Sequence, residues 1–361
     1  MKQILIIATT IALLFTACRE EVKFNDKNIS SKMVVNSFVE ADSIIIVTIA
    51  GSKPIPGVPS NFNWINDANI VLFVNDKETE TLKTRSILPE NNDYDNYYYY
   101  EEDYAPNVEY YSSTKAEIGK SYRLKITHPK YGETTCETSI PKPVQIISVD
   151  TTYTGSARYN HDINMVNVAI KFKDPANEAN YYRLIAYIKR GEYVEEYYND
   201  LIVDSSVVVS EQYPRINDPV INPEQEDAND FVFGSPGNPY NIFTDELIDG
   251  REYTVNFTIS LNNHNRIEGV DLFEKGEFEH LMFILQSITP ETYLFLKSSH
   301  LHHYYDGDLF AEPVQVFSNV ENGLGIFGGQ SNSVAIMQNG QYPKDSINYQ
   351  YNNYYPYYYY N

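Results

Sequence analysis

The chain has 361 residues, with 27 Lys and Arg against 49 Asp and Glu, for a formal net charge of -22. Phosphate backbones repel so acidic a body, which argues against nucleic acid as a partner. The two cysteines, Cys18 and Cys136, are too few for a zinc site built on two cysteine pairs, while the length allows two domains of ordinary size.

Residues 1–17 read as an export signal: a charge at Lys2, an apolar run from Ile4 to Phe15, then small Thr16 and Ala17 ahead of Cys18. As a helix the run would cover roughly 18 Å of a ~30 Å bilayer core, too little for a permanent span. FTAC resembles a bacterial lipobox, with Phe15 where Leu is usual. On that reading Cys18 becomes the acylated first residue of the mature chain. The alternative is an ordinary signal peptide with an incidental cysteine. Each buried CH₂ contributes about 0.8 kcal/mol, so several acyl chains make a durable anchor. Arg19-Glu20-Glu21 looks like the short signal that sends lipoproteins of Bacteroidota to the outer face of the outer membrane. Residues 18–31 form the lipidated leader.

Strand patterns follow. MVVNSFVE (Met33 to Glu40) and SIIIVTIA (Ser43 to Ala50) flank Ala41-Asp42 and predict a hairpin. ANIVLFV alternates with Ala68, Ile70, Leu72 and Val74 on one face and turns at Asn75-Asp76-Lys77. SYRLKITHPKYGETTCETSI predicts another hairpin, with Tyr122, Leu124, Ile126, Cys136, Thr138 and Ile140 inward. The PKPV that follows marks a domain boundary.

NMVNVAIKFKDP is an alternating strand, and NYYRLIAYIKRGEYVEEYY reads as a hairpin around Lys189 to Glu192. Pro214 to Tyr240 is polar and Pro-rich, an excursion. In FTDELIDGREYTVNFTISL a helical turn between Thr244 and Gly250 precedes a strand through Tyr253, Val255, Phe257, Ile259 and Leu261. ITPETYLFLKSSHLHHYY predicts a helix with Thr289 as N-cap, Pro290 at its first position and a face of Leu294, Leu301 and Tyr305. EPVQVFSNVENGLGIFGGQSNSVAI predicts two short strands around a Gly-rich loop.

The expected fold is therefore all-β, mainly β. An immunoglobulin- or fibronectin-like β-sandwich over 32–143 is followed by a second β-rich domain with at least one helix over 144–342, and by a Tyr-rich disordered tail over 343–361.

Several blocks together resemble the Bacteroidota domain-of-unknown-function family 4249: VVNSFVE, SYRLKITHPKYGETTCETSIPKPV, FKDPANEANYYRL, FTDELIDGREYTVNF, and LQSITPETYLF followed by EPVQVFSNVENGLGIFGG. The resemblance implies an outer-membrane lipoprotein encoded near TonB-dependent receptors. It implies no catalytic residues.

Candidate chemistry is sparse. HLHHYYDGD offers His300, His302, His303, Asp306 and Asp308 as ligand types for a metal. Histidines near a helix end also suit its dipole, and no HExxH is present. NGLGIFGG lacks the GK[ST] ending of a phosphate loop. No GxSxG elbow marks a nucleophile, and 49 acids single out no catalytic pair.

The tyrosines remain. Tyr94, Tyr97, Tyr98, Tyr99, Tyr100, Tyr104, Tyr110 and Tyr111 form a candidate ligand-binding loop for a glycan or peptide, since tyrosine offers a large face and a hydroxyl at small entropy cost. The bland reading is a low-complexity loop. Asp42-Ser43-Ile44, Asp150-Thr151-Thr152 and Asp345-Ser346-Ile347 fit a loose O-glycosylation pattern.

The expected function is thus a non-enzymatic binding or accessory lipoprotein, anchored in the outer membrane through lipid, facing the exterior beside a TonB-dependent receptor and needing no cofactor. The alternative is an exported hydrolase or metal-binding surface protein.

Overall fold

A computed structural model describes residues 30–52, 63–87, 108–156, 163–193, 205–212, 214–216, 218–222, 237–262, 279–306 and 311–338. The early strands are β1 (Met33–Glu40), β2 (Ile44–Gly51), β3 (Asn63–Trp64), β4 (Asn69–Val74), β5 (Lys77–Thr81), β6 (Lys83–Ser86), β7 (Val108–Lys115), β8 (Ser121–His128) and β9 (Gly132–Ser139). Left-handed residues at the turns set their registers. Asp42 (φ 64°) joins β1 to β2, and Asn75 (φ 48°) with Asp76 (φ 62°) closes β4–β5, two positive φ angles in succession as the tightest hairpins require.

The later elements are β10 (Ile146–Ser156), β11 (Ile163–Lys173), β12 (Tyr181–Tyr193), β13 (Ser205–Gln212), β14 (Arg215–Ile216), β15 (Ile242–Thr244), β16 (Glu252–Asn262), β17 (Glu279–Ile288), α1 (Pro290–Tyr305), β18 (Val320–Glu321) and β19 (Leu324–Gln338). The protein is mainly β, with α1 the one helix among the described residues.

A long sheet runs in the order β13-β12-β17-β19-β1-β2-β7-β6, with β15 also paired to β12 and β3 to β2. Its centre is a parallel pairing of β1 with β19, Val34 opposite Leu324 through Glu40 opposite Gln330. Two smaller sheets, β18-β9-β8-β4-β5 and β10-β11-β16-β14, cover one face of the long sheet.

Each layer pair encloses a core. In the first, Val35, Val39, Ile45, Val47 and Ile49 meet Ile70, Leu72, Tyr122, Leu124, Ile126 and Cys136. Val320 and Phe327, from the far end of the chain, complete it. The second packs Val166, Val168, Ile170 and Phe172 of β11 and Val255, Phe257 and Ile259 of β16 against Tyr182, Leu184, Phe283 and Leu285. Burying each such aliphatic or Phe side chain stabilises the fold by about 1.5–3 kcal/mol. On the other face of the long sheet, α1 lies over the junction of the two halves, where Phe295 and Leu296 pack with Ile242, Ile288, Ile326 and Phe38.

Four expectations are corrected. Lys189 to Glu192 make no turn, because β12 runs straight through them, with Gly191 opposite Val207 of β13. Residues 245–250 form consecutive tight turns, Ile248 N to Asp245 O and Arg251 N to Ile248 O, rather than a helical turn. The buried face of α1 carries Thr292, Phe295 and Leu296, while Leu294 is 44% exposed. Only Asn322-Gly323 of the Gly-rich segment turn, and the later glycines lie within the 15-residue β19.

Those glycines are needed where backbones meet. A Cβ on Gly325 (φ 100°) would sit 2.1 Å from the Val35 carbonyl oxygen, and one on Gly329 would sit 1.8 Å from that of Ser139.

Candidate functional site

Cys18, Arg19, Glu20 and Glu21 lie outside the described residues, as do Tyr94, Tyr97, Tyr98, Tyr99, Tyr100, Tyr104, Asp308 and the tail 343–361. Tyr110 and Tyr111 are described and part company. Tyr110 is 1% exposed, donates its hydroxyl to Ile65 O at 3.1 Å and accepts from Ala68 N at 2.9 Å, so it serves the core. Burial pushes its phenol pKa up. Tyr111 is half-buried beside the Arg85 guanidinium, 5.2 Å from its ring centroid, and Arg85 also pairs with the buried Glu109. Ser43 and Thr151 are both half-buried.

Among the described residues the histidines belong to no group of three ligand-type side chains whose atoms lie within 4.8 Å of one another. His302 donates from Nδ1 to the Val314 carbonyl at 2.7 Å, and the His300 ring meets Tyr240 edge-on with centroids 6.3 Å apart. His303 is exposed, and its backbone carbonyl accepts from Asp306 N at the helix end. Among the described residues, the ligand-type group whose atoms lie within 4.8 Å of one another is Asp174, Asp245 and Asp249.

That trio joins two loops. One leaves β11 through Asp174-Pro175 and turns at Asn177 (φ 66°); the other follows β15 and ends at Gly250 (φ 69°). Asp174, 1% exposed, accepts from Tyr182 Oη at 2.5 Å and from Gly250 N at 2.9 Å. Asp245 accepts from Asn180 N at 2.8 Å and Nδ2 at 3.2 Å, and Asp249 accepts from Asn177 N at 2.9 Å. Each carboxylate reaches across to a donor on the opposite segment, so the trio works as a clasp between them.

Desolvation by burial raises the Asp174 pKa, and the neighbouring charges of Asp245 and Asp249 push the same way against its hydrogen bonds. Burial, with the Asp174 acceptor beside it, also drives the Tyr182 phenol far above its ordinary value. Carboxylate oxygens are the ligand type of hard cations such as Ca²⁺. Here they are engaged by protein donors, and their arrangement is accounted for by loop fixation. Both segments, FKDPANEAN and FTDELIDGRE, stand out in the sequence, but nothing in it joins them. The available signal was turn chemistry, Asp-Pro with Asn in one and Asp-Gly in the other.

A different feature lies on the outer face of the β10-β11-β16 sheet. Two cross-strand rows, Asp150–Ala169–Asn256 and Thr152–Asn167–Thr258, point away from the core. They line an open recess of about 380 Å³, with the backbone at Val168 and Phe257 between them. Thr258 Oγ1 donates to Asn167 Oδ1 at 2.9 Å, and Asn256 Nδ2 donates to Thr254 O at 3.3 Å.

No curated protein matches the chain. The family model described as a domain of unknown function, DUF4249, matches residues 19–335, from the residue after Cys18 to the last third of β19. The chain belongs to that family.

Proposed function

We propose that the protein is a lipid-anchored outer-membrane subunit, facing the cell exterior, that binds a ligand or partner for a TonB-dependent receptor and carries out no catalysis. The observation that carries the reading is LLFTACREE: an apolar run too short to span, small residues, then a cysteine ahead of a charged leader. The family match supports it by beginning at residue 19, where the mature body would follow Cys18. A β-rich body with several sheet edges and outer faces gives such a subunit surface to work with.

The test has two arms. Cys18→Ser should move the chain from the membrane to the soluble fraction, and a chain that stays with the membrane would remove the anchor. Affinity capture of the intact chain from gently solubilised outer membrane should recover a receptor barrel. Recovery of none, under conditions that keep other receptor complexes together, would refute the accessory role.

A further inference from the structure

The recess on β10, β11 and β16 includes three residues a strand would not choose. Asn and Asp are depleted in strands, yet Asn167 and Asn256 sit mid-strand on adjacent strands, with Asp150 in the same patch on the edge strand β10. A plain solvated face is built differently elsewhere in the molecule. On β8 and β9 the outward positions include long charged pairs, Arg123 with Glu137 at 3.3 Å and Lys125 with Glu133 at 2.9 Å, among Ser and Thr. Rules of local propensity are broken most often where function requires it.

Ala169, a single methyl between Asp150 and Asn256, keeps the floor of the recess low. The volume of about 380 Å³ falls within the range of small-ligand sites, about 300–1,000 Å³. The walls are two amides, two hydroxyls and one carboxylate, with no cation among them. Lys171, one row along, is held by Glu252 at 2.6 Å. With Asn167 Oδ1 already accepting from Thr258, the Asn167 amide N–H groups face a ligand as donors; Asn256 Oδ1 and the Asp150 carboxylate face it as acceptors. Alternating donors and acceptors on short side chains match a ring of hydroxyl groups. They match neither an apolar molecule nor an anion.

We infer that this recess binds an uncharged saccharide, one or two rings at a time. The inference deepens the binding role proposed above and rests on it for its setting. Its test uses the full-length chain, purified in a detergent without a sugar headgroup. The chain is titrated with neutral probes: glucose, galactose, mannose, xylose, N-acetylglucosamine and their disaccharides. At least one should bind. Ala169→Trp, which fills the floor, should weaken that binding at least about tenfold, and Asn167→Ala, which removes one hydrogen-bonding group, about fivefold.

Should Ala169→Trp fail to fold, Asp150→Ala and Asn256→Ala, both at exposed positions, carry the same expectation. Binding to none of the probes, or binding that survives these substitutions, overturns the inference. Capture of the receptor by the Ala169→Trp chain separates the two readings. A receptor recovered by a chain whose wild type binds no sugar sinks the recess alone, whereas sugar bound with no receptor leaves the recess standing and sinks the accessory role.

Discussion

The two cores of the molecule differ in where their residues come from. The one around Phe283 draws only on residues from Val144 onward. The one around Tyr122 is assembled from residues 33–140, yet borrows Val320 and Phe327 from the end of the chain and uses β19 as the parallel neighbour of β1. The dependence is therefore unequal: the first half needs the second to close its core, while the second keeps a complete core around Phe283 and would lose β1 beside β19, β9 beside β18 and Phe38 under α1. A parallel pairing between chain ends needs long loop closure before it is rewarded, which predicts that the first half consolidates after the second.

The largest effect should come from separating the halves. A fragment of residues 30–143 should show no cooperative thermal transition, because its core lacks two apolar members and β1 has lost one neighbour. Residues 144–342 should retain one. Cooperative unfolding of the shorter fragment by calorimetry would break the comparison. Next in size is Gly325→Ala, opposite Val35 near the start of the joining pair. Its positive φ and a Cβ 2.1 Å from the Val35 carbonyl oxygen force β1 and β19 apart, at a cost of about 4 kcal/mol in urea unfolding. A loss under about 1 kcal/mol would mean the two strands are not tightly paired there.

A smaller effect tests the helix over the junction. Thr289 Oγ1 accepts from Thr292 N and Gly329 N, both at 3.4 Å, so it caps α1 and ties it to β19. Thr289→Ala should cost about 1 kcal/mol, with Thr289→Ser recovering most of it. Equal destabilisation by both replacements would point to the methyl group's packing rather than to the cap.

What could be read in advance was local. The hairpins β1–β2, β4–β5 and β8–β9 each carry a period of two and a turn residue between the runs, so neighbours in sequence are neighbours in space. The N-cap of α1 was legible for the same reason. What failed depended on partners far away. Lys189 to Glu192 look like a turn by composition, but β13 and β17 flank the strand they belong to. Leu294 looked inward and points out, because the sheet beneath offers α1 the Gly328 gap, which Thr292 fills. Neither the Asp174 clasp nor the β10-β11-β16 recess has a one-segment signature. One joins loops some seventy residues apart, and the other reads as ordinary strand until three strands are laid side by side.

One carboxylate in each half, Glu80 and Asp174, answers to pH with opposite sign, the smallest of the predicted effects. In the first half, despite the partial desolvation of Glu80, hydrogen bonds from Thr114 and Ser113 lower its pKa. In the second, burial and two neighbouring carboxylates raise that of Asp174. A lowered folded pKa gives stability that is present above the unfolded value, about 4.3 for Glu, and is lost as pH falls through the folded one. A raised pKa does the reverse: its contribution is intact below the unfolded value, about 3.9 for Asp, and is lost as pH rises through the folded one. Urea unfolding across pH 3.5 to 7 should therefore show wild type losing ground to Glu80→Gln toward acid, and to Asp174→Asn toward neutrality. Parallel curves for wild type and Asp174→Asn would mean that the clasp does not perturb its central acid. A loss toward acid would mean that the donors from Tyr182 and Gly250 outweigh the crowding of charge.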